Sequence, residues 1–326
     1  MTRRLLVLSD IHYACDAERQ RGNYEVDAIP QPLRRLAVRL YRHFIWLRHP
    51  FSHNHLVDRF IAGAGEADMV IANGDYSCDS AFIGVGDPAS CQSARECLGK
   101  LRAGFGERFH ATIGDHELGK VSLAGGAGGM HLKSWHVTQK DLRLRPFWRI
   151  EAGNYVLIGV TSSVIALPVF EVETLPEERE EWRCVRDEHL AEIRKVFASL
   201  KSNQRVLLFC HDPTALPFLG REEAVRDKLP QIEQTIIGHL HSELIYWQSR
   251  ALAGIPPVHF LGRTVRRNTT ALNQARHWRP FKVRLCRSLA GIELLKDGGY
   301  FEILLDEAGD SPAQFRWHRL SRTDAA

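Results

Sequence analysis

Acidic residues and histidines recur in five short groups along this 326-residue sequence, and each group follows an apolar stretch. Their oxygen and nitrogen atoms are suitable ligands for Mn²⁺, Fe, Zn²⁺ or Mg²⁺. Alternate side chains of an extended segment point the same way, so an Asp-x-His group can bind one ion through both residues. The set therefore predicts a metal centre. Its members are Asp10 with His12, Asp75, Asp115 with His116, His211, and His239 with His241.

Each group by itself has an ordinary structural explanation. Gly74-Asp75 is typical of a turn, and a single histidine at a strand end is more often a hydrogen-bonded partner than a ligand. The two histidines at 239 and 241 are a better indication of metal binding. It is the ordered series, with every member after an apolar stretch, that favours a metal site.

The apolar stretches before these groups have the length and composition of buried strands. Ligands of open α/β sheets gather beyond the carboxyl ends of the strands, so the five groups can meet at one edge. More strands are predicted at 154–162, 300–306 and 314–320, and a helix at 187–201. The stretches that precede the groups are Leu5–Ser9, Met69–Asn73, Arg108–Ile113, Val206–Cys210 and Thr235–Ile237.

With these motifs in order, the chain resembles the calcineurin-like metallophosphoesterase superfamily, whose blocks read D-x-H, G-D, G-N-H-[ED], H and G-H-x-H. The resemblance spans residues 8–241. It implies an α/β fold, a four-layer αββα sandwich of two mixed sheets, with a dinuclear metal site at the carboxyl edge of the strands. We expect one metallophosphoesterase domain over residues 1–326, with a basic insertion at 13–67 and a basic segment at 263–290 near the site mouth.

The resemblance also implies a role for each residue and two divalent metal ions (Mn, Fe, Zn or Mg) as cofactors. A metal-bridging hydroxide would hydrolyse a phosphomonoester, phosphodiester or pyrophosphate bond. His116 would act as general acid outside the metal shell, oriented by Glu117 or another carboxylate. In this scheme Asp10, His12 and His241 bind the first ion, Asp115, His211 and His239 bind the second, and Asp75 bridges both.

Asp115 departs from the family pattern, which has asparagine in this block. An aspartate adds a negative charge and removes an amide that can donate to phosphate. We therefore expect retained metal binding with altered activity. The same departure is the one feature that favours the alternative of a non-catalytic metal-bound scaffold or binding protein. An alternative substrate is the lipid-linked pyrophosphate of the UDP-diacylglucosamine type, whose enzymes generally lack the histidine found here at 116.

A predicted helix at Leu33–Arg48 carries an apolar stripe and five arginines without an acidic residue. Three interpretations stay open: the stripe packs on the domain, the helix contacts a membrane surface or lipid substrate, or it binds nucleic acid, the least favoured partner. The predicted substrate is accordingly a small-molecule or lipid phosphoester. The stripe consists of Leu33, Leu36, Leu40, Phe44 and Leu47, and the arginines are Arg34, Arg35, Arg39, Arg42 and Arg48.

Bulk composition is that of an ordinary globular protein, with 44% hydrophobic and 25% charged residues and a net charge of +4. The seven cysteines form no C-x-x-C pair, which favours free thiols in a reducing cytosol. The apolar run that follows Arg3 and Arg4 is too short for the apolar region of a signal peptide and ends at Asp10. We expect a cytoplasmic protein, peripheral to the membrane if the 33–48 helix binds lipid.

Overall fold

The computed structural model describes residues 1–22, 24–122, 128–258 and 263–322. Ten strands form two sheets of five. The strands are β1 (Thr2–Leu8), β2 (Met69–Asn73), β3 (Phe109–Thr112), β4 (Phe147–Ala152), β5 (Tyr155–Val160), β6 (Arg205–Cys210), β7 (Ile232–Ile237), β8 (Val283–Leu285), β9 (Gly299–Asp306) and β10 (Gln314–Arg319).

The first sheet has the order β10-β9-β1-β2-β3, and the second has the order β4-β5-β6-β7-β8. In the first, β1, β2 and β3 run parallel, whereas β9 pairs antiparallel with both β1 and β10. In the second, β5 to β8 run parallel and β4 is antiparallel to β5. Both sheets are therefore mixed, and the parallel strands of each end at one edge.

Fourteen α-helices lie among the described residues. They are α1 (Asp16–Gln20), α2 (Tyr24–Asp27), α3 (Pro32–Phe44), α4 (His55–Gly63), α5 (Pro88–Phe105), α6 (Asp115–Leu118), α7 (Leu132–Lys140), α8 (Ser162–Ile165), α9 (Leu167–Phe170), α10 (Arg179–Ala198), α11 (Leu216–Leu219), α12 (Glu223–Arg226), α13 (Glu243–Ala251) and α14 (Arg263–Gln274). Within the described ranges, none of them has the length and apolarity needed to cross a bilayer.

Alternation along the strands builds three apolar layers. Leu5 and Val7 of β1 face Leu207 of β6 between the sheets, because successive side chains of a strand point to opposite faces. Leu6 and Leu8 face α4 and α5 on the other side. The outer face of the second sheet packs against α10 through residues such as Ile193. The predicted four-layer αββα sandwich is confirmed.

The basic segments of the sequence contain more structure than predicted. The 263–290 segment includes α14 and the edge strand β8, neither of which was predicted. Strand β4, which lies outside the basic segments, was not predicted either. The helix predicted at 187–201 begins earlier, at Arg179, and ends at Ala198. The helix predicted at 33–48 is α3, which ends at Phe44.

The interpretation that α3 packs its apolar stripe on the domain is wrong for four of the five stripe residues. Leu33, Leu36, Leu40 and Phe44 are exposed, and Leu47, which is buried, lies beyond the end of the helix. The opposite face contains Arg42, which is buried. A helix that turns its apolar side outward and a charged side inward has the reverse of the usual globular arrangement.

Candidate metal centre

All seven sequence-predicted ligands come together where the parallel strands of both sheets end. Two groups of four side chains form, and within each group one ligand atom per residue lies within 4.8 Å of the others. Asp75 belongs to both groups, so they share one carboxylate. The first group is Asp10, His12, Asp75 and His241, and the second is Asp75, Asp115, His211 and His239.

Five of the seven residues have a left-handed backbone conformation. The φ angles are about 50° to 61° at positions where the side chain is not glycine. Few non-glycine residues adopt this region, and each does so at an energetic penalty that clusters at functional sites. The chain thus bends sharply at each strand end, which turns the side chain into the centre. These residues are Asp10, His12, Asp75, His239 and His241.

Glycines allow the strand ends to approach one another. A Cβ atom at Gly74, where φ is 93°, would lie 2.7 Å from Nδ1 of His211 and 2.8 Å from the Cα of Gly114. A Cβ at Gly238 would lie 2.5 Å from Oδ2 of Asp10. No side chain fits at these distances, so the absence of Cβ atoms is what lets the two sheets bring their ligands to one place.

The first group joins two buried carboxylates, Asp10 and Asp75, to two imidazoles whose rings face each other. Nε2 of His12 and Nε2 of His241 are 3.2 Å apart, and Nε2 of His241 is 3.2 Å from Oδ1 of Asp10. Burial lowers the pKa of His12 to about 3 and lowers that of His241 well below its usual range. Both rings are therefore neutral, which is the form that binds metal. Burial raises the pKa of Asp10 to about 7.

The second group is rich in charge contacts. Oδ1 of Asp115 lies 2.8 Å from Nδ1 of His239 and 3.2 Å from Nε2 of His211. Burial opposes protonation of both rings, but the carboxylates outweigh it: Asp75 and Asp10 raise the pKa of His211, and Asp115 raises that of His239 to about 10. The negative charge of these carboxylates is what a divalent cation bound here would neutralise.

Unsatisfied atoms show that this donor set fits a metal ion. Oδ2 of Asp75 and Nε2 of His211 are fully buried and form no hydrogen bond, although they lie only 3.1 Å apart. Buried polar atoms without partners are rare and need an explanation. The other ring nitrogen of His211, Nδ1, already has a partner, because it donates to the carbonyl of Asn73 at 2.5 Å. A ligating histidine typically has its other nitrogen held by such a carbonyl.

His116 lies beside the centre but outside both groups. Its Nε2 is 3.8 Å from Oδ2 of Asp75, and its ring centroid is 4.5 Å from that of His12. Nδ1 donates to the carbonyl of Ser77 at 3.0 Å, because a carbonyl can only accept. This bond directs Nε2 towards the centre. Burial lowers the pKa of His116.

The expectation that Glu117 or another carboxylate orients His116 is wrong for Glu117. The Glu117 carboxylate instead accepts from the backbone N–H groups of Gly114, Asp75 and Tyr76 at 2.8 to 3.0 Å. It therefore ties the loop after β2 to the loop after β3, and the Ser77 carbonyl takes over the orientation of His116. An Asp-His-Glu run in the sequence does not reveal which of its side chains turns back to the backbone.

A cavity of about 460 Å³ opens onto the centre. The basic insertion forms one wall of it, and α14 with the following residues forms part of another. The ring of Trp46 lies 4.6 Å from that of His241, a contact that ligand spacing could not indicate. The lining includes Tyr24, Tyr41, Arg42, Trp46, Leu47, Lys120, Met130, Phe170, Leu240, Ile245, Leu252, Arg267, Leu272 and Trp278.

Fold and site together define an α/β two-sheet protein with a candidate dinuclear centre at the shared sheet edge. No protein-family model matches the chain, and no curated protein matches it. Solved structures do resemble its fold. A dimetal phosphatase from Danio rerio is 14% identical, with 99% of this chain and 97% of that chain covered and a TM-score of 0.44.

Two further solved structures are similarly distant. The phosphopantetheinyl hydrolase of Mycobacterium tuberculosis is 14% identical over 73% of this chain and 83% of its own, with a TM-score of 0.37. A predicted phosphoesterase from Streptococcus pneumoniae is 11% identical over 99% and 91%, with a TM-score of 0.33. At such distances we infer the chemistry of this chain from its own residues.

Proposed function

We propose that this chain is a metallophosphoesterase that hydrolyses a phosphoester bond with two divalent ions. The observation that carries the proposal is the shared carboxylate: Asp75 belongs to two four-residue groups whose other members are all of ligating type. Two adjacent cation sites with a common ligand are the arrangement that clamps the attacking and leaving oxygens of a displacement at phosphorus.

The residues present fit this role. Asp10, His12 and His241 would hold one ion, and Asp115, His211 and His239 would hold the other, with Asp75 between them. Bound divalent ions supply activation of the attacking water and neutralisation of the phosphoryl oxygens. Oxygen and imidazole ligands leave the identity of the metal open among Mn, Fe, Zn and Mg.

His116 would protonate the leaving group. Its Nδ1–H donates to the Ser77 carbonyl, so Nε2 is the nitrogen that faces the centre. Burial lowers its pKa in the free protein, and a bound phosphoryl anion next to it would favour the cationic form again. A proton on Nε2 would then pass to the departing oxygen.

Turnover assays and elemental analysis test the proposal together. With Mn²⁺, we expect hydrolysis of bis-p-nitrophenyl phosphate or p-nitrophenyl phosphate and about two metals per chain. The His116→Ala variant should retain its metal and lose about 10²-fold or more in kcat. His136→Ala, which removes an exposed histidine of α7, is the matched control and should be unaffected.

Each failure has its own meaning. Equal rates for wild type and His116→Ala would remove the general acid while leaving the metal centre in place. Two bound metals without turnover of any phosphoester would favour the non-catalytic scaffold. An absence of bound metal would overturn the proposal as a whole.

We propose that the substrate is a phosphomonoester, a phosphodiester or a pyrophosphate, including a lipid-linked pyrophosphate. Much of the cavity wall is apolar, with Leu47, Met130 and Leu272 among its residues, which favours a substrate with an apolar part next to the phosphate. All seven cysteines are free thiols, and we propose a cytoplasmic location on that basis.

A further inference from the structure

Helix α3 exposes large apolar side chains along one stripe. Residues at positions 33, 36, 40 and 44 fall on one face of a helix because of its 3.6-residue period. Such a row is unusual on a soluble protein, where exposed apolar residues are normally scattered. The exposed fractions are 83% for Leu33, 51% for Leu36, 49% for Leu40 and 59% for Phe44.

Positive charge borders this stripe. Arg34, Arg39 and Arg48 are exposed, and no aspartate or glutamate occurs from residue 28 to residue 57. An apolar stripe flanked by arginines is the pattern of a helix that lies in the interface of an anionic bilayer.

The apolar surface continues beyond α3. The backbone N–H groups of Glu293 and Leu294 donate to the carbonyls of Trp46 and Ile45 at 2.6 and 3.2 Å. This pairing places the exposed side chains of Leu294 and Leu295 next to the end of α3. The surface is therefore formed by two segments that are fixed to each other by hydrogen bonds.

We propose that this surface, formed by α3, Leu294 and Leu295, docks on an anionic lipid bilayer. A second copy of the chain would bring arginine against arginine across a two-fold contact, which is unfavourable. Nucleic acid would favour aromatic side chains on which bases stack, whereas three of the four stripe residues are leucines. Because Tyr41, Trp46 and Leu47 line the cavity, a docked α3 would hold the cavity close to the membrane.

Vesicle co-sedimentation of the full chain tests the docking surface. We expect binding to phosphatidylcholine vesicles that contain phosphatidylglycerol, weaker binding to phosphatidylcholine alone, and a loss of binding at high salt. The Leu36→Ser/Leu40→Ser/Phe44→Ser variant should partition about 100-fold less. Replacement of Arg34, Arg39 and Arg48 by glutamine should reduce partitioning by about fivefold for each arginine.

A matched control uses exposed apolar residues elsewhere. Val172 and Leu175 are also exposed, and their replacement by serine should leave vesicle binding unchanged. Equal binding of wild type and the α3 triple variant would overturn the proposal, as would preferential binding of single-stranded oligonucleotides. Phosphoesterase activity does not enter this test, so its outcome is independent of the proposed reaction.

A second inference comes from the inner face of α3. One lysine and two arginines line the cavity. Lys120 lies 3.1 Å from Glu25, and Arg267 lies 3.2 Å from Glu173. Arg42 is only 7% exposed, and its guanidinium has no hydrogen bond or ion pair with any other residue that the structure describes. The side chain lines the cavity, so this charge faces the cavity and no carboxylate of the protein. An anion bound in the cavity would compensate it, which indicates a binding role for Arg42.

We infer that Arg42 binds a second anionic group of the substrate, next to the phosphorus that is attacked. This inference rests on the proposed function and narrows it to substrates with two neighbouring anionic groups, such as a pyrophosphate. Arginine suits this task because its planar fork binds a phosphate through two hydrogen bonds.

Binding of two inert phosphonates to the Mn²⁺-loaded protein tests this role. Methylenediphosphonate should bind more tightly than methylphosphonate, and Arg42→Gln should weaken only the former, by about tenfold to 100-fold. Arg42→Lys should recover part of the difference. If Arg42 had only a structural role, Arg42→Met would lower the melting temperature. Because its charge faces the cavity, we expect Arg42→Met to leave the melting temperature of the ligand-free protein unchanged.

The two ways of failing are distinct. If neither phosphonate binds the metal-loaded chain, the proposed function fails together with the inference. If both bind and Arg42→Gln weakens them equally, or not at all, only the inference about Arg42 is overturned.

Discussion

The two sheets contribute different chemistry to one centre. The first sheet supplies the three carboxylates and His12 from the ends of β1, β2 and β3, whereas the second sheet supplies only imidazoles from the ends of β6 and β7. Each four-residue group takes ligands from both sheets. Neither sheet alone has a complete site, so the centre depends on the packing of one sheet against the other.

This division has an electrostatic consequence. The carboxylates repel one another, and in the second group they are compensated by the imidazoles of His211 and His239. Burial opposes a proton on His239, but Asp115 outweighs it and raises the pKa of His239 to about 10. A divalent ion would displace those protons and serve both sets at once. Bound metal should therefore link the two sheets. Asp75 should contribute to both metal sites, because it belongs to both groups.

Asp75→Ala should produce the largest effect, because it removes the shared ligand. We expect loss of both metals and at least about a 10³-fold fall in kcat/KM. Variants that remove a ligand of one group, His12→Ala or His211→Ala, should each retain about one metal per chain. Elemental analysis of the three purified variants measures the metal content per chain. Two metals retained in Asp75→Ala would show that Asp75 is not a ligand common to both groups.

Chelation should destabilise the wild-type protein, since its ligands come from both sheets. A ligand present at 1,000 times its Kd stabilises the native state by about 4 kcal/mol, and removal of the metal should lower the melting temperature accordingly. Asp75→Ala is the control, because it should melt at the same temperature with and without chelator. A wild-type melting temperature that does not respond to verified metal removal would contradict the link between the sheets.

His189, on helix α10 next to the second sheet, is a buried histidine that belongs to neither ligand group. Its Nε2 accepts from the N–H of Thr161 at 3.1 Å, and burial lowers its pKa to about 4. The unfolded value is about 6.5, so His189 contributes stability above pH 6.5 that is lost as the pH falls towards 4. The contribution amounts to at most about 3 kcal/mol.

The His189→Gln variant keeps an acceptor for Thr161 but cannot take up a proton. We expect its free energy of unfolding to depend less steeply on pH between 6.5 and 4 than that of the wild type. Denaturant titrations at several pH values measure the difference. Parallel curves for the two proteins would show that His189 does not titrate in this range.

The convergence of the ligands was predictable from the sequence, because its causes are local. Each ligand follows an apolar stretch, and parallel strands end at a common edge. The left-handed conformation at Asp10 or His241 was not predictable, since it is imposed by the neighbouring strand ends rather than by the residue's own preference. The same holds for Glu117, whose three backbone partners lie on two separate loops.

The side of α3 that faces the protein could not be predicted from the sequence, for a different reason. Periodicity identifies the apolar stripe of a helix but not the side on which the protein lies. Strand β8 was missed because Arg284 interrupts its apolar pattern. In the structure the Arg284 guanidinium lies 4.4 Å from the ring centroid of Phe315, a cation–π contact that pairs a charged residue with a distant strand.

Asp115→Asn should have the smallest effect on the centre. Asp115 contacts imidazoles of the second group only, so the first group should keep its metal. An amide still ligates through its oxygen, but one negative charge is lost. We expect two metals per chain with somewhat weaker affinity, and a KM for p-nitrophenyl phosphate lowered about fivefold, equivalent to about 1 kcal/mol of reduced repulsion. Metal titrations and steady-state kinetics measure both. Loss of the second metal in Asp115→Asn would show that this position requires a full carboxylate, and an unchanged KM would show that its charge does not reach the bound phosphate.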